Sequence, residues 1–208
     1  GLANLMINGI VTVANGQVII ALFFTMICCI ILGMGVPTTA NYCIMAATCA
    51  PILVRMGVPL IAAHFFVFYF GIVADLTPPV ALAAYAGAAI AGANPMKTAL
   101  QSTKLAIGAF IVPYIFALNP AMLFVDTTAG EVILIVITSL IGMFGVAAGL
   151  EGYMFRKAAW WERLLSVAGG LLLIYPGVVT DIIGLVLVGL VVIIQIIERR
   201  YDKKLATV

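Results

Sequence analysis

The chain has 208 residues, 65% of them hydrophobic and only 9% charged, where soluble globular proteins carry roughly 25% charged residues. Ten Lys+Arg and eight Asp+Glu cannot cover a soluble surface, which excludes a soluble enzyme, a nucleic-acid-binding domain, a disordered tail and a disulfide-stapled secreted scaffold. The composition is that of an all-α integral membrane protein, in which the placement of each charge says more than the net +2. Gly1 is not Met and no basic segment precedes an apolar run. No signal peptide is therefore visible, and a fragment of a longer chain is expected. Cys28, Cys29, Cys43 and Cys49 lie in apolar runs without CxxC spacing and away from His64. They read as small structural hydrophobes.

A spanning helix needs about 20 apolar residues. The first candidate covers residues 18 to 34 and ends in Gly33-Met-Gly-Val-Pro37-Thr-Thr-Ala-Asn41; a second apolar arm follows to Val54, Arg55 and a Gly57-Val-Pro59 turn. Two arms meeting at a Gly/Pro/Thr/Asn tip predict a re-entrant helical hairpin over 18–54, two ordinary short helices being the alternative. Residues 60–92 are too long for one plain helix, and Asp75-Leu-Thr77-Pro78-Pro79 interrupts them. One discontinuous span is expected, with halves near 60–75 and 80–92. Asn94-Pro95 opens a polar stretch in which Lys97, Gln101 and Lys104 recur at helical spacing, predicting an amphipathic helix at the membrane surface.

Residues 105–124 form the next span, kinked or divided by Pro113 and Pro120, and a polar loop from Asp126 to Glu131 leads into a span over 132–150. After Trp160-Trp161-Glu162-Arg163 a short apolar arm reaches Tyr175-Pro176-Gly177 and Asp181, and a second arm runs to Ile197. The first arm, about 12 residues or about 18 Å of rise, is shorter than a bilayer. A second, shallow hairpin is expected, Asp181 being a structural turn residue at its tip. With this topology Arg55 shares one face with Asp126 and Glu131, while Lys97, Lys104, Arg156, Lys157, Arg163, Arg199, Arg200, Lys203 and Lys204 collect on the other. The positive-inside rule makes that second face, and the C-terminus, cytoplasmic.

In hydrocarbon an irregular backbone is tolerated only inside protein or beside a cavity. Pro37 cannot bond back to the Gly33 carbonyl, and Pro78 and Pro79 leave the carbonyls of Ala74 and Asp75 without helical donors. The oxygens of Thr38, Thr39, Asn41, Asp75 and Thr77 stand beside them in sequence. Carbonyl, hydroxyl and single-carboxylate oxygens suit a hard monovalent cation, so Gly33, Thr38, Asn41, Ala74, Asp75 and Thr77 are the candidate Na⁺ ligands. The half-helices beginning near Thr38 and Val80 present positive dipole ends to an anionic substrate. Gly33, Gly35, Pro37, Thr38, Thr39 and Asn41 shape the hairpin tip, and Ala74, Asp75, Thr77, Pro78 and Pro79 the facing break. Asp75 as a proton carrier, or as a cap on its own broken helix, are the other readings. His64, 11 residues before Asp75, is about 16 Å away along a helix, too far for an acid–base pair. It reads as a packed or interfacial residue, and no catalytic motif or bound cofactor is expected.

At these residues the chain resembles the fused permease of the tripartite ATP-independent periplasmic (TRAP) transporters, in its TAXI-associated branch. The resemblance lies in Leu32-Gly-Met-Gly-Val-Pro-Thr-Thr-Ala-Asn-Tyr42 and Ala63-His-Phe-Phe-Val-Phe-Tyr-Phe-Gly-Ile-Val-Ala-Asp-Leu-Thr-Pro-Pro-Val-Ala-Leu-Ala-Ala-Tyr85, and continues through Gly92-Ala-Asn-Pro-Met96 and Phe110-Ile-Val-Pro-Tyr114. It spans residues 1–125, and the tail from 126 looks like the extra C-terminal membrane region of some fused permeases. It implies an elevator-type secondary transporter in a bacterial or archaeal cytoplasmic membrane. Residues 1–92 would belong to the moving transport half, 93–125 to an amphipathic segment and scaffold helix, and 126–208 to a C-terminal extension. The substrates implied are organic acids, dicarboxylates or amino-acid-like anions, delivered by a TAXI-type periplasmic binding protein and coupled to Na⁺. The remaining N-terminal part of the permease would be a partner. A non-transporting membrane subunit with an assembly role is the alternative function.

Overall fold

The computed structural model describes residues 2–125, 127–175 and 177–205. Asp126 and Pro176, read above as a loop carboxylate and part of a hairpin tip, lie outside the described residues. The chain divides into two compact units, 1–125 and 126–208, and among the described residues it is helical apart from an isolated bridge between Tyr153 and Lys157.

The first unit opens with a helix not anticipated above, α1 (Leu2–Ala14), which ends where Asn15 and Gly16 turn to φ 46° and 80°. The hairpin follows as α2 (Val18–Gly33), α3 (Thr38–Thr48) and the short α4 (Ala50–Arg55). Gly35 at φ +72° lies between its arms. The discontinuous span is α5 (Leu60–Val73), a 3₁₀ turn at Ala74–Leu76, and α6 (Leu82–Ala91). α7 (Pro95–Leu105) starts on Pro95, with the Asn94 side chain accepting the Lys97 N–H at 3.0 Å, an N-cap that satisfies one orphan donor. α8 (Ile107–Leu118) contains Pro113 and is followed by a 3₁₀ turn at Pro120–Leu123.

Packing explains why these pieces hold together. Leu22, Met45, Leu53, Phe66, Val67 and Phe70 form the centre of a buried cluster that joins α2, α3, α4 and α5. The Phe66 and Phe70 rings lie 4.8 Å apart with their planes tilted at 59°, and Tyr114 of α8 meets them edge-on at 5.3 and 5.9 Å. Such aromatic pairs contribute about 0.5–1.5 kcal/mol each beyond burial. α8 is therefore locked to α5. At 12 residues it rises only about 18 Å, so the span expected over 105–124, kinked or divided by Pro113 and Pro120, is divided before Pro120 and its helical part is shorter than a bilayer. It is long enough to cross only together with α7, from which it is bent by 41°.

The second unit is an antiparallel run of α9 (Ala129–Glu151), α10 (Trp160–Ile174) and α11 (Val178–Leu205). α9 starts on a capping box in which the Thr128 N–H donates to Glu131 Oε2 at 3.3 Å. Glycines let the helices approach closely: a Cβ on Gly142 would lie 2.7 Å from the Gly170 carbonyl oxygen, and one on Gly170 2.5 Å from that of Gly142. Small residues at such a crossing are the usual means by which membrane helices pack. The shallow second hairpin expected here keeps its short first arm, α10 at 15 residues, and is corrected in its second. α11 continues for 28 residues, and Val178–Arg199 is long and apolar enough to cross a membrane, as is α9. Gln195, Glu198 and Arg199 are compatible with helix, so the polar residues mark an end of hydrocarbon and not an end of helix.

Candidate functional site

The hairpin and the broken helix meet at Gly33, Asn41, Gly71 and Ala74. Asn41 on α3 is 2% exposed, and its Nδ2 donates to the Gly71 carbonyl of α5 at 3.0 Å. Gly33 closes the other side: a Cβ there would lie 2.9 Å from Asn41 Nδ2, 2.9 Å from the Gly71 oxygen and 3.0 Å from Ala74 Cβ. Only a residue without a side chain fits at that approach. Gly71 was missed as a site residue, although a lone glycine inside the bulky run Phe70-Gly71-Ile72 is itself a sign of close backbone approach.

Asn41 Oδ1 is buried and has no hydrogen-bond partner. Buried polar atoms are nearly always paired, and an orphan costs about 1–3 kcal/mol. An oxygen of this kind is chemically able to accept from a donor or to coordinate a cation.

The break is tighter than the proline positions alone suggested. The Ala74 carbonyl, expected to lose its donor, accepts the Thr77 N–H at 3.3 Å. The turn contracts from i→i+4 to i→i+3, which recruits Thr77 in place of Pro78. Thr77 Oγ1 in turn donates to the Val73 carbonyl at 2.7 Å, leaving its lone pairs available. The Gly33 carbonyl likewise accepts the Val36 N–H, at a long 3.5 Å. Ala81 then enters α6 in the left-handed region at φ 38°, fully buried.

The other predicted residues lie further out. Gly35, Pro37, Thr38, Thr39 and Pro79 are exposed, and Asp75, Thr77 and Pro78 are half-buried. The Asp75 carboxylate has no hydrogen-bond or ion-pair partner among the described residues. α3 begins at Thr38 and α6 at Leu82, so each break does place a helix N-terminus near its tip. Gly33, Asn41 and Ala74 are thus brought together, whereas no hydrogen bond joins Thr38 or Thr39 to Asp75 or Thr77.

Two more contacts were not foreseen. His64 Nδ1 and the Tyr42 hydroxyl lie 2.9 Å apart, joining α3 to α5; they line an apolar cavity of about 320 Å³ with Ile61, Phe65 and Phe68. Thr103 Oγ1 of α7 lies 2.9 Å from the Ala99 carbonyl of its own helix and 3.3 Å from the Leu76 carbonyl, between which its one proton is shared. The amphipathic helix thereby touches the break. No group of three or more His, Cys, Asp or Glu able to hold a metal ion occurs among the described residues.

The family profile described as tripartite ATP-independent periplasmic transporter, DctM component, matches residues 3–130. A domain of unknown function matches residues 132–185. No curated protein and no solved structure matches the chain.

Proposed function

The chain belongs to the tripartite ATP-independent periplasmic transporter family, as a DctM-component membrane permease, and from that membership we propose that it is part of a Na⁺-coupled importer of organic acids. In this reading residues 1–92 carry half of the ion and substrate site. Asn41 Oδ1, the Gly33 and Ala74 carbonyls, the Thr38 and Thr77 hydroxyls and the Asp75 carboxylate are the Na⁺ ligands. Gly35, Pro37, Thr39, Pro78 and Pro79 shape the two tips, whose helix N-termini face a dicarboxylate or amino-acid-like anion. The observation that carries the proposal is the buried, unpartnered Asn41 Oδ1 at the contact of hairpin and broken helix. The Ala74 carbonyl, although bonded to Thr77, keeps a second lone pair for a cation.

The hairpin and the broken helix move together in this proposal, as the elevator half of a permease completed by an N-terminal partner portion. A periplasmic binding protein of TAXI type delivers the substrate. The membrane is the cytoplasmic one, with Lys97, Lys104, Arg156, Lys157 and the end of α11 on the cytoplasmic side. The deciding experiment is uptake by the full-length permease in liposomes with its binding protein, with and without a Na⁺ gradient. Uptake that needs the gradient supports the reading; uptake driven equally well by a proton gradient without Na⁺ overturns the coupling.

A further inference from the structure

The second unit sorts its charge end to end. No Lys or Arg occurs in residues 126–155 or 164–198, and Glu131 and Asp181 stand at the end where α9 starts and α10 turns into α11. At the opposite end the α9–α10 loop and the start of α10 carry Arg156, Lys157 and Arg163, and the end of α11 carries Arg199, Arg200, Lys203 and Lys204. The anions there are Glu151, Glu162, Glu198 and Asp202.

The described contacts build this end into one surface. Arg156 pairs with both Glu162 and Glu198, its backbone N–H donates to Gln195 Oε1 at 3.1 Å, and the loop is thereby tied to α11. Those pairs use two of the anions on one cation. Arg163 directs its guanidinium at the carbonyls of Gly149 and Leu150, both at 2.9 Å, which fixes its position without neutralising its charge. Lys157 is exposed and has no carboxylate partner among the described residues. Both tryptophans of the chain are here, Trp160 at 74% and Trp161 at 38% exposure. Trp is favoured at the headgroup level of a bilayer, and basic side chains just beyond it meet lipid phosphates.

We propose that this end of the second unit is a binding surface for anionic phospholipid headgroups, with Lys157, Arg163 and Arg199 toward the phosphates and Trp160 in the headgroup layer. Arginine held in place by main-chain carbonyls presents its remaining N–H groups to a phosphate with little further ordering. Each basic residue near an anionic membrane surface contributes about fivefold in affinity.

The tryptophans supply the test, because they report this end alone. The full chain is reconstituted in phosphatidylcholine vesicles containing a low, equal fraction of brominated phosphatidylglycerol or brominated phosphatidylcholine, and Trp emission is read. The brominated anionic lipid is expected to quench more strongly. In Lys157→Gln/Arg199→Gln the phosphatidylglycerol fraction giving half of the excess quenching should rise by about 25-fold, from two fivefold factors, with an unchanged circular dichroism spectrum. Lys157→Arg, which keeps the charge, should retain the excess. Equal quenching by both lipids overturns the proposal, as does a half-point that is unchanged in the double variant. Removal of the excess by inorganic phosphate also overturns it, assigning the surface to a free anion.

Discussion

Asn41 and Gly71, 30 residues apart, are joined by a single amide-to-carbonyl hydrogen bond of 3.0 Å that ties the hairpin to the broken helix, while the other end of the same amide stays unpaired. The two halves of one side chain make separable predictions. Asn41→Ala removes the donor and leaves the buried Gly71 carbonyl without it, a loss of about 1–3 kcal/mol visible as a lower melting midpoint in detergent. If Oδ1 is an ion ligand, replacing choline chloride by NaCl raises the midpoint of the wild-type protein and no longer does so in Asn41→Ala. A variant that keeps the full Na⁺-dependent rise removes Asn41 from the ion site.

Three glycines of the first unit should respond differently to alanine. Gly33→Ala forces a methyl to 2.9 Å from a backbone oxygen, an overpacking that costs about 1–3 kcal/mol. Gly35→Ala meets nothing within 4 Å but sits at φ +72°, where a side chain costs about 1–2 kcal/mol. Gly87, inside α6, has open space and ordinary helical geometry. Gly87→Ala should be stabilising by about 0.5–1 kcal/mol. Thermal midpoints of the three variants in one detergent check the order, and a destabilised Gly87→Ala would contradict the open surface around α6.

Asp75 is the half-buried carboxylate of the break, without a described partner. Asp75→Asn keeps the shape and removes the charge. In the full-length permease it should weaken the Na⁺ dependence of uptake, raising the Na⁺ concentration needed for half-maximal transport. Unchanged Na⁺ dependence would remove Asp75 from the ion site.

The two breaks were legible because proline deletes a donor at a known position, so Pro37 and Pro78-Pro79 announce where a helix must stop. Their consequences were less so. The Ala74 carbonyl was expected to be freed, yet a 3₁₀ contraction found it the Thr77 N–H. The pairing of Asn41 with Gly71 depends on the rotation of α5 about its axis. α5 is apolar over most of its surface, Leu60 to Val73, His64 being its one strongly polar side chain, and its apolar residues carry no periodicity that would reveal which face meets α3. α1 was passed over because Asn4, Asn8 and Gly9 interrupt its apolar residues. In the second unit the glycine approach and the buried Gln195 are likewise products of packing, invisible in an apolar run.

Thr103 touches the break through the Leu76 carbonyl at 3.3 Å, sharing its proton with the Ala99 carbonyl of its own helix at 2.9 Å. Thr103→Val keeps the shape and removes that shared donor, whereas Thr103→Ser restores the hydroxyl. Valine is expected to lower the maximal uptake rate with little change in apparent substrate affinity, and serine to recover most of it. Equal rates in all three proteins would show that α7 and the break move independently.

Glu162 is fully buried in the second unit and accepts from Arg156 at 2.8 Å, from Gln195 Nε2 at 2.8 Å and from the Ala159 N–H at 2.7 Å. Three charge-assisted donors on one carboxylate make it the centre of the loop's attachment to α10 and α11. Glu162→Ala takes the acceptor from Gln195 Nε2 and from the Ala159 N–H and leaves Arg156 its ion pair with Glu198, and should destabilise the unit by about 1–3 kcal/mol. Replacing the cluster with apolar groups, Arg156→Met with Glu162→Leu and Gln195→Leu, removes the desolvated charge and its side-chain partners, leaves only the backbone N–H groups of Ala159 and of residue 156 without their acceptors, and should recover part of that loss. Hydrogen exchange of the α10 and α11 amides distinguishes the two. If the triple variant is as open as Glu162→Ala, the network is held by hydrogen bonds that apolar packing cannot replace.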